Sequence, residues 1–352
     1  MFDFSDAQLE SLVIHKVGNK HHDEGLVVSP GLTQLKDVEV EQLLMEYFLS
    51  SFKGDTLYRF HDDFDINLNK VYSNVSKIFL EKDEFYEQSI SILQHLYENS
   101  THPNIKSGEF YMAYITGALI NGNPRDVIGI FKTENKDIYL KVTEQNQEFD
   151  VDYERGINVK KLDKGCLVFN ANSQDGFKVG IVDKTNKEEE EALFWKNDFL
   201  GLAELQDDNF HTKTYMGLCQ DFCENIYGTI YEADKKEQVE FLDGALDYFT
   251  EKSQFDVDRF ADEVIQDPQC REDFVNYKED FEEAHQLEPR ESFNISEQAV
   301  SKMKRKFKGT IKLDTGIQIK IENGSGGTRQ IERGFDDERR MHFYKIYFNE
   351  EE

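Results

Sequence analysis

Between Arg290 and Lys345 the chain carries thirteen basic residues against eight acids, a local charge of +5 inside a 352-residue protein whose formal charge is -29. Ammonium and guanidinium groups at such density neutralise phosphates, and the acidic remainder repels them. Lys302, Arg305, Lys306, Lys308 and Lys312 would together cover one stretch of nucleic-acid backbone, with Arg329, Arg333, Arg339 and Arg340 extending the patch if the strands that follow pack beside it. Few aromatic or polar groups interleave with these cations. The expected contacts therefore position a duplex rather than read its bases. The competing reading is a solubilising face or protection of a strand edge.

Other residue patterns carry weaker chemistry. Leu313-Asp314-Thr315-Gly316 has the form of an aspartic-protease turn. That reaction needs two carboxylates sharing a proton, so one copy would act only in a symmetric dimer, and a β-turn accounts for the residues. Cys219 and Cys223, with His211 eight residues before the first, offer zinc ligand types, but both cysteines fall on the apolar stripe of a predicted helix. His15, His21 and His22 cluster without a second ligand group, and so does His61-Asp62-Asp63. The glycines at 324, 326 and 327 lack the Gly-Lys-Ser/Thr ending of a phosphate loop. No nucleophile, base and orienting acid assemble, so the expectation is no enzyme, no metal and no cofactor.

The elements that must position the cations follow from periodicity. A short extended segment around 12–16 precedes a helix capped by Asp37, with Val40, Leu43, Leu44, Tyr47 and Phe48 at helical spacing. A second helix spans 84–99, its apolar side Tyr86, Ile90, Leu93 and Tyr97. From Gly108 to Asp183 come short strands, GEFYMAYITGALI, DVIGIFKTE, DIYLKVTE, GINVKKL, CLVFNA and FKVGIVD, predicting a mostly antiparallel sheet carrying helices. The charge run at 186–191 marks the domain boundary: 1–186 an α+β domain, 187–352 a C-terminal domain. In the latter an acidic helical segment, 187–290, leads to a basic module, 291–352, of one helix capped by Ser296 and several strands. The fold class is α+β. Met1-Phe2-Asp3-Phe4 lacks a basic leader, the longest apolar run is too short to span a bilayer, and four scattered cysteines read as reduced thiols; a cytoplasmic protein without membrane contact is expected.

The opening LVIHKVGNK, the middle LDYFTEKSQFDVDRFADEV, and ESFNIS followed by FKGTIKLDTGIQIKI resemble the bacterial nucleoid-associated YejK/NdpA-type family. The end, ERGFDDERRMHFYKIYFNE, is similar to the version found in Bacteroidetes-like bacteria. The resemblance is nearly full-length. It implies a cytoplasmic, nucleoid-located protein that binds double-stranded DNA without enzymatic activity, and acidic members are common in it. No residue-level DNA site carries over, so the nine cations named above rest on charge and helix geometry. The expectation is sequence-tolerant DNA binding through the basic module. The alternative is an acidic interaction module, 232–288, that engages DNA-handling proteins and reaches the nucleoid indirectly. The aromatic terminal strand would support a homodimer by edge pairing.

Overall fold

The segment Gly108–Ile120 is apolar at nearly every position because both of its faces are covered. It is β5, at the heart of a nine-stranded antiparallel sheet, in a computed structural model that describes residues 2–53, 56–184, 194–307, 309–321 and 327–350. The other strands are β1 (Phe2–Asp3), β2 (Gln8–Val17), β3 (Leu26–Val27), β4 (Tyr58–Phe60), β6 (Asn123–Thr133), β9 (Lys164–Phe169), β10 (Lys178–Asp183) and β11 (Leu202–Glu204). Their order is β11-β4-β10-β9-β6-β5-β2-β3, and β1 pairs with the end of β5. Alternate residues of the strands point to opposite faces. Phe110, Met112 and Tyr114 join helices α2 (Lys70–Leu80) and α3 (Phe85–Asn99) in one core, whereas Tyr111, Ala113 and Ile115 join α1 (Val38–Leu49) in the other. A bulge between Ile115 and Ala118 bends β5, and Gly117 sits there at φ +74° with the Asp6 carbonyl where a Cβ would stand.

Asp37 caps α1 as expected, yet Val38, Val40 and Leu43 stay exposed and only Tyr47, Phe48 and Leu49 are fully packed. The buried stripe of α3 is Phe85, Ser89, Ile92, Leu93 and Leu96, rotated from the expected one; Tyr86 lies at its margin, where its hydroxyl donates to the Ser29 carbonyl at 2.6 Å. Helix α2 escaped the sequence reading. So did β8 (Glu148–Gly156), which pairs with β7 (Asp137–Gln145) in a separate hairpin; the expected strand at Gly156–Leu162 is not one. The turn joining them, Asn146-Gln147, has φ of 55° and 68° at both residues, the primed geometry usually signalled by glycine.

Two compact units divide the chain, Met1–Leu205 and Gln206–Glu352. The charge run used as a boundary lies outside the described residues. Beyond it, the π-helical segment Phe194–Phe199 buries Trp195 and Phe199 in the first core, and β11 pairs with β4, so both belong to the first unit.

The second unit is built on α4 (Asp208–Phe222), α5 (Lys235–Glu251), α6 (Val257–Val264), α7 (Pro268–Ala284) and α8 (Glu297–Met303). Side chains of Asp207, Asp234, Asp256, Asp267 and Ser296 accept backbone N–H groups at the helix starts, and Asp234 with Glu237 completes a capping box. Tyr215, Phe222, Phe249, Phe255, Phe260 and Phe274 form its core. Three antiparallel pairs accompany the helices: β12 (Gln254–Asp256) with β13 (Ser292–Asn294), β14 (Gly309–Lys312) with β15 (Gln318–Ile321), and β16 (Ile331–Asp336) with β17 (Met341–Ile346). The whole is α+β.

Candidate nucleic-acid interface

Helix α8 is anchored by three buried residues, Ala299, Val300 and Met303, and Phe307 follows them into the helical core. Lys302, Lys304, Arg305 and Lys306 are exposed between these anchors. The helix ends at Met303, so Lys304 to Lys306 lie on tight turns closed by Lys306 N–H to Met303 C=O at 2.7 Å and Phe307 N–H to Lys304 C=O. The Lys306 carbonyl also accepts from Gln220 Nε2 at 3.0 Å, tying the turn to α4. From Gln298 to Leu313 the sequence holds six cations and no acid. Lys308 lies outside the described residues.

Lys312 is exposed at the end of β14, whose Ile311 packs with Val239 of α5, Ile321 and Ile331. The basic strands thus build on an acidic helix. Arg329 is exposed on the turn before β16. Asp247 of α5 is held above the usual carboxylate range by burial and by Glu251, while Lys304 and Arg329 oppose that rise, so these two cations converge on one acid. Arg333 forms an ion pair with Asp234 at 3.2 Å. Arg339 and Arg340 occupy the β16–β17 tip beside Asp336, Asp337 and Glu338; Asp336 accepts the N–H groups of Glu338 and Arg339, and Arg340 takes φ 51°.

The eight predicted cations among the described residues therefore fall into distinct settings. Lys302, Arg305, Lys306 and Lys312 lie on the acid-free segment; Arg329 meets α5; Arg333 is paired; Arg339 and Arg340 stand among three acids. An open cleft of about 550 Å³ adjoins Lys304, but Glu251 and Glu297 balance Lys252 and Lys304 around it.

The Asp-Thr-Gly turn, His15 and the cysteines have structural roles, and the glycines at 324 and 326 lie outside the described residues. Asp314-Thr315-Gly316 forms the β14–β15 turn, with Gly316 N–H to Leu313 C=O at 3.0 Å and Gly316 at φ +83°. His15 is buried: its Nδ1 accepts from Ser29 N–H, which leaves Nε2–H to donate to Ser89 Oγ, and burial lowers its pKa. All four cysteines are buried, and burial pushes Cys223 up to about 12 and Cys270 up to about 11, far from reactive thiolates. Among the described residues no group of three His, Cys, Asp or Glu is placed to hold a metal ion, and no helix is long and apolar enough to cross a membrane.

Sequence reasoning missed a buried polar network. Lys278 and Glu282 of α7, almost wholly buried, pair at 3.2 Å. Glu282 also accepts from the Tyr215 hydroxyl and from Arg290 N–H. The signal was available in the spacing: Cys270, Phe274, Lys278 and Glu282 recur every four residues, and the first two are core types. The acidic helix is thus anchored from inside by one of its own carboxylates.

A comparison with curated proteins finds none that matches this chain. Residues 13–340 match the family described as nucleoid-associated protein YejK, and a match of that extent makes the chain a member of that nucleoid-associated family.

Proposed function

We propose that this member of the family binds double-stranded DNA directly, with little sequence preference, and that the acid-free segment 298–313 provides the principal phosphate contacts. The observation that carries the reading is the presentation of Lys302, Arg305 and Lys306 on a stretch pinned by the buried anchors Val300, Met303 and Phe307. Anchored cations lose less freedom on meeting phosphate than cations on an unfolded tail. Screening limits the reach of the remaining acids to roughly 8 Å at physiological salt, so the local surface outweighs the net charge in close contact. The nearby Asp247 and Glu251 temper affinity. No catalytic step, metal or cofactor enters this reading.

The test is fluorescence anisotropy with a labelled random duplex. Salt-sensitive binding by the native chain, and its loss in the K302E/R305E/K306E variant, is the expected result; equal affinity of the two proteins would refute the site.

The second reading is supported by Glu272, Glu279, Asp280, Glu283 and Glu288, all exposed along α7 and the loop after it. This face would engage basic surfaces of DNA-handling proteins. Partner capture that survives nuclease digestion and is lost on neutralising those five acids would favour it over direct DNA contact.

A further inference from the structure

The β7–β8 hairpin has one apolar face that no described residue covers. Directly opposed residues in antiparallel strands share a face. The register therefore places Leu140 with Tyr153 and Val142 with Val151, flanked by Ile138 beside Arg155 and Phe149 beside Glu144. Ile138, Leu140, Val142, Phe149, Val151 and Tyr153 are each 59% to 77% exposed. The opposite face carries Tyr139, Lys141, Thr143, Asp150, Asp152 and Glu154, with Lys141 and Glu154 paired at 2.7 Å. A lone two-stranded hairpin is at best marginally stable in water, and this one spends its apolar residues on solvent.

Its base is nonetheless fixed. Asp163 accepts Glu134 N–H at 2.7 Å and Asn135 N–H at 2.8 Å where the chain leaves β6, and Asp137 is held by Asn158 and Lys161, each at 2.8 Å. Lys132, fully buried, donates to Glu134 and to the Lys106 carbonyl beneath this junction. The arm is held in place at its root.

We propose that this face docks on the same face of a second copy of the chain, the two arms stacked antiparallel about a two-fold axis. Two features select that occupant. First, Glu144 marks the tip end of the apolar face and Arg155 the base end. Antiparallel stacking lays the Arg155 of each copy over the Phe149 and Glu144 of the other, whereas parallel stacking sets like charges together. Second, six side chains contributing roughly 100 Å² each bury about 1,200 Å² over both copies, the lower bound for a specific interface. A membrane surface fits poorly, because the opposite face is acidic where an interfacial element carries Lys and Arg.

Sedimentation equilibrium of the full-length chain tests this. The native protein should dimerise, and L140E/V151E, which alters only exposed positions, should weaken the dimer at least about 100-fold by placing carboxylates in an apolar contact. E144R and R155E should each weaken it, and E144R/R155E should restore it. A native protein that is monomeric at every concentration overturns the proposal. So does a dimer indifferent to L140E/V151E, or one that E144R/R155E fails to rescue; a dimer lost only on trimming the terminal strand would point to edge pairing there.

Discussion

Replacing Lys278 with methionine tests how the second unit is held together. Lys278 is 1% exposed and Glu282 3%, so the substitution leaves a buried carboxylate whose remaining donors are the Tyr215 hydroxyl and Arg290 N–H. Breaking a buried pair from one side costs about 3–5 kcal/mol. The second contact of Lys278, to Glu291 at 3.5 Å, adds little because Glu291 is largely exposed. K278M/E282Q removes the stranded charge while keeping an acceptor for Tyr215, so it should recover roughly 2–3 kcal/mol of the loss. The assay is urea unfolding of the full-length chain. The far-ultraviolet circular dichroism transition in urea should shift to lower urea in K278M. A K278M cost below about 1 kcal/mol, or a double variant no better than the single, would refute the view of Glu282 as a charge that depends on its lysine.

Neutralising Lys302, Arg305 and Lys306 to glutamine should reduce the slope of log affinity against log salt by up to about 2.7, at roughly 0.9 per phosphate contact, whereas R333Q should change it far less because Asp234 already holds Arg333. D234N keeps a competent helix cap but releases Arg333, so duplex affinity should rise with little change in melting temperature, as anisotropy and calorimetry would show. Burial lowers the pKa of His15, His95 and His211, so the stability each contributes is complete above the unfolded value near 6.5 and is lost as pH falls through the folded value; chemical denaturation should show decline below about pH 6.5, with a slope of up to 1.4 kcal/mol per pH unit per histidine. Gly117→Ala should cost more than about 2 kcal/mol, since φ +74° and the Asp6 carbonyl oppose a Cβ together, and thermal unfolding measures it.

What was legible in the sequence tracks how local the physics is. The caps Asp37 and Ser296, the apolar stripe carrying Cys219 and Cys223 and the Asp-Thr-Gly turn depend on residues within a few positions, and the structure places them accordingly. β8 was hidden because its apolar residues alternate with acids, a composition poor in strand formers, and because its turn reaches left-handed geometry through Asn146 and Gln147 rather than glycine. Charge was the least legible quantity. Lys278 and Glu282 fall in the segment read only as acidic and helical, but they pair with each other in the core, and Glu282 accepts from Tyr215 and Arg290, 67 and 8 residues away. Arg333 read as an exposed cation but is matched to Asp234, nearly a hundred residues earlier in the chain.

That pairing bears on how a protein of charge -29 can approach DNA. A phosphate at the surface responds chiefly to charges within a Debye length, roughly 8 Å at physiological salt. Around Arg333, Arg339 and Arg340 that sphere contains Asp234 or the Asp336 to Glu338 acids, so those arginines offer little net field. The segment carrying Lys302, Arg305, Lys306 and Lys312 has no acid of its own, and on the helix beneath it Asp247, with Glu251 beside it, lies near Lys304 and Arg329. Neutralising Asp247 to asparagine should therefore strengthen duplex binding more than neutralising any of the three acids at the β16–β17 tip. Competition anisotropy at one salt concentration ranks the four variants, and a tip variant that bound more tightly than D247N would move the contact surface from the α8 turn to the β16–β17 hairpin.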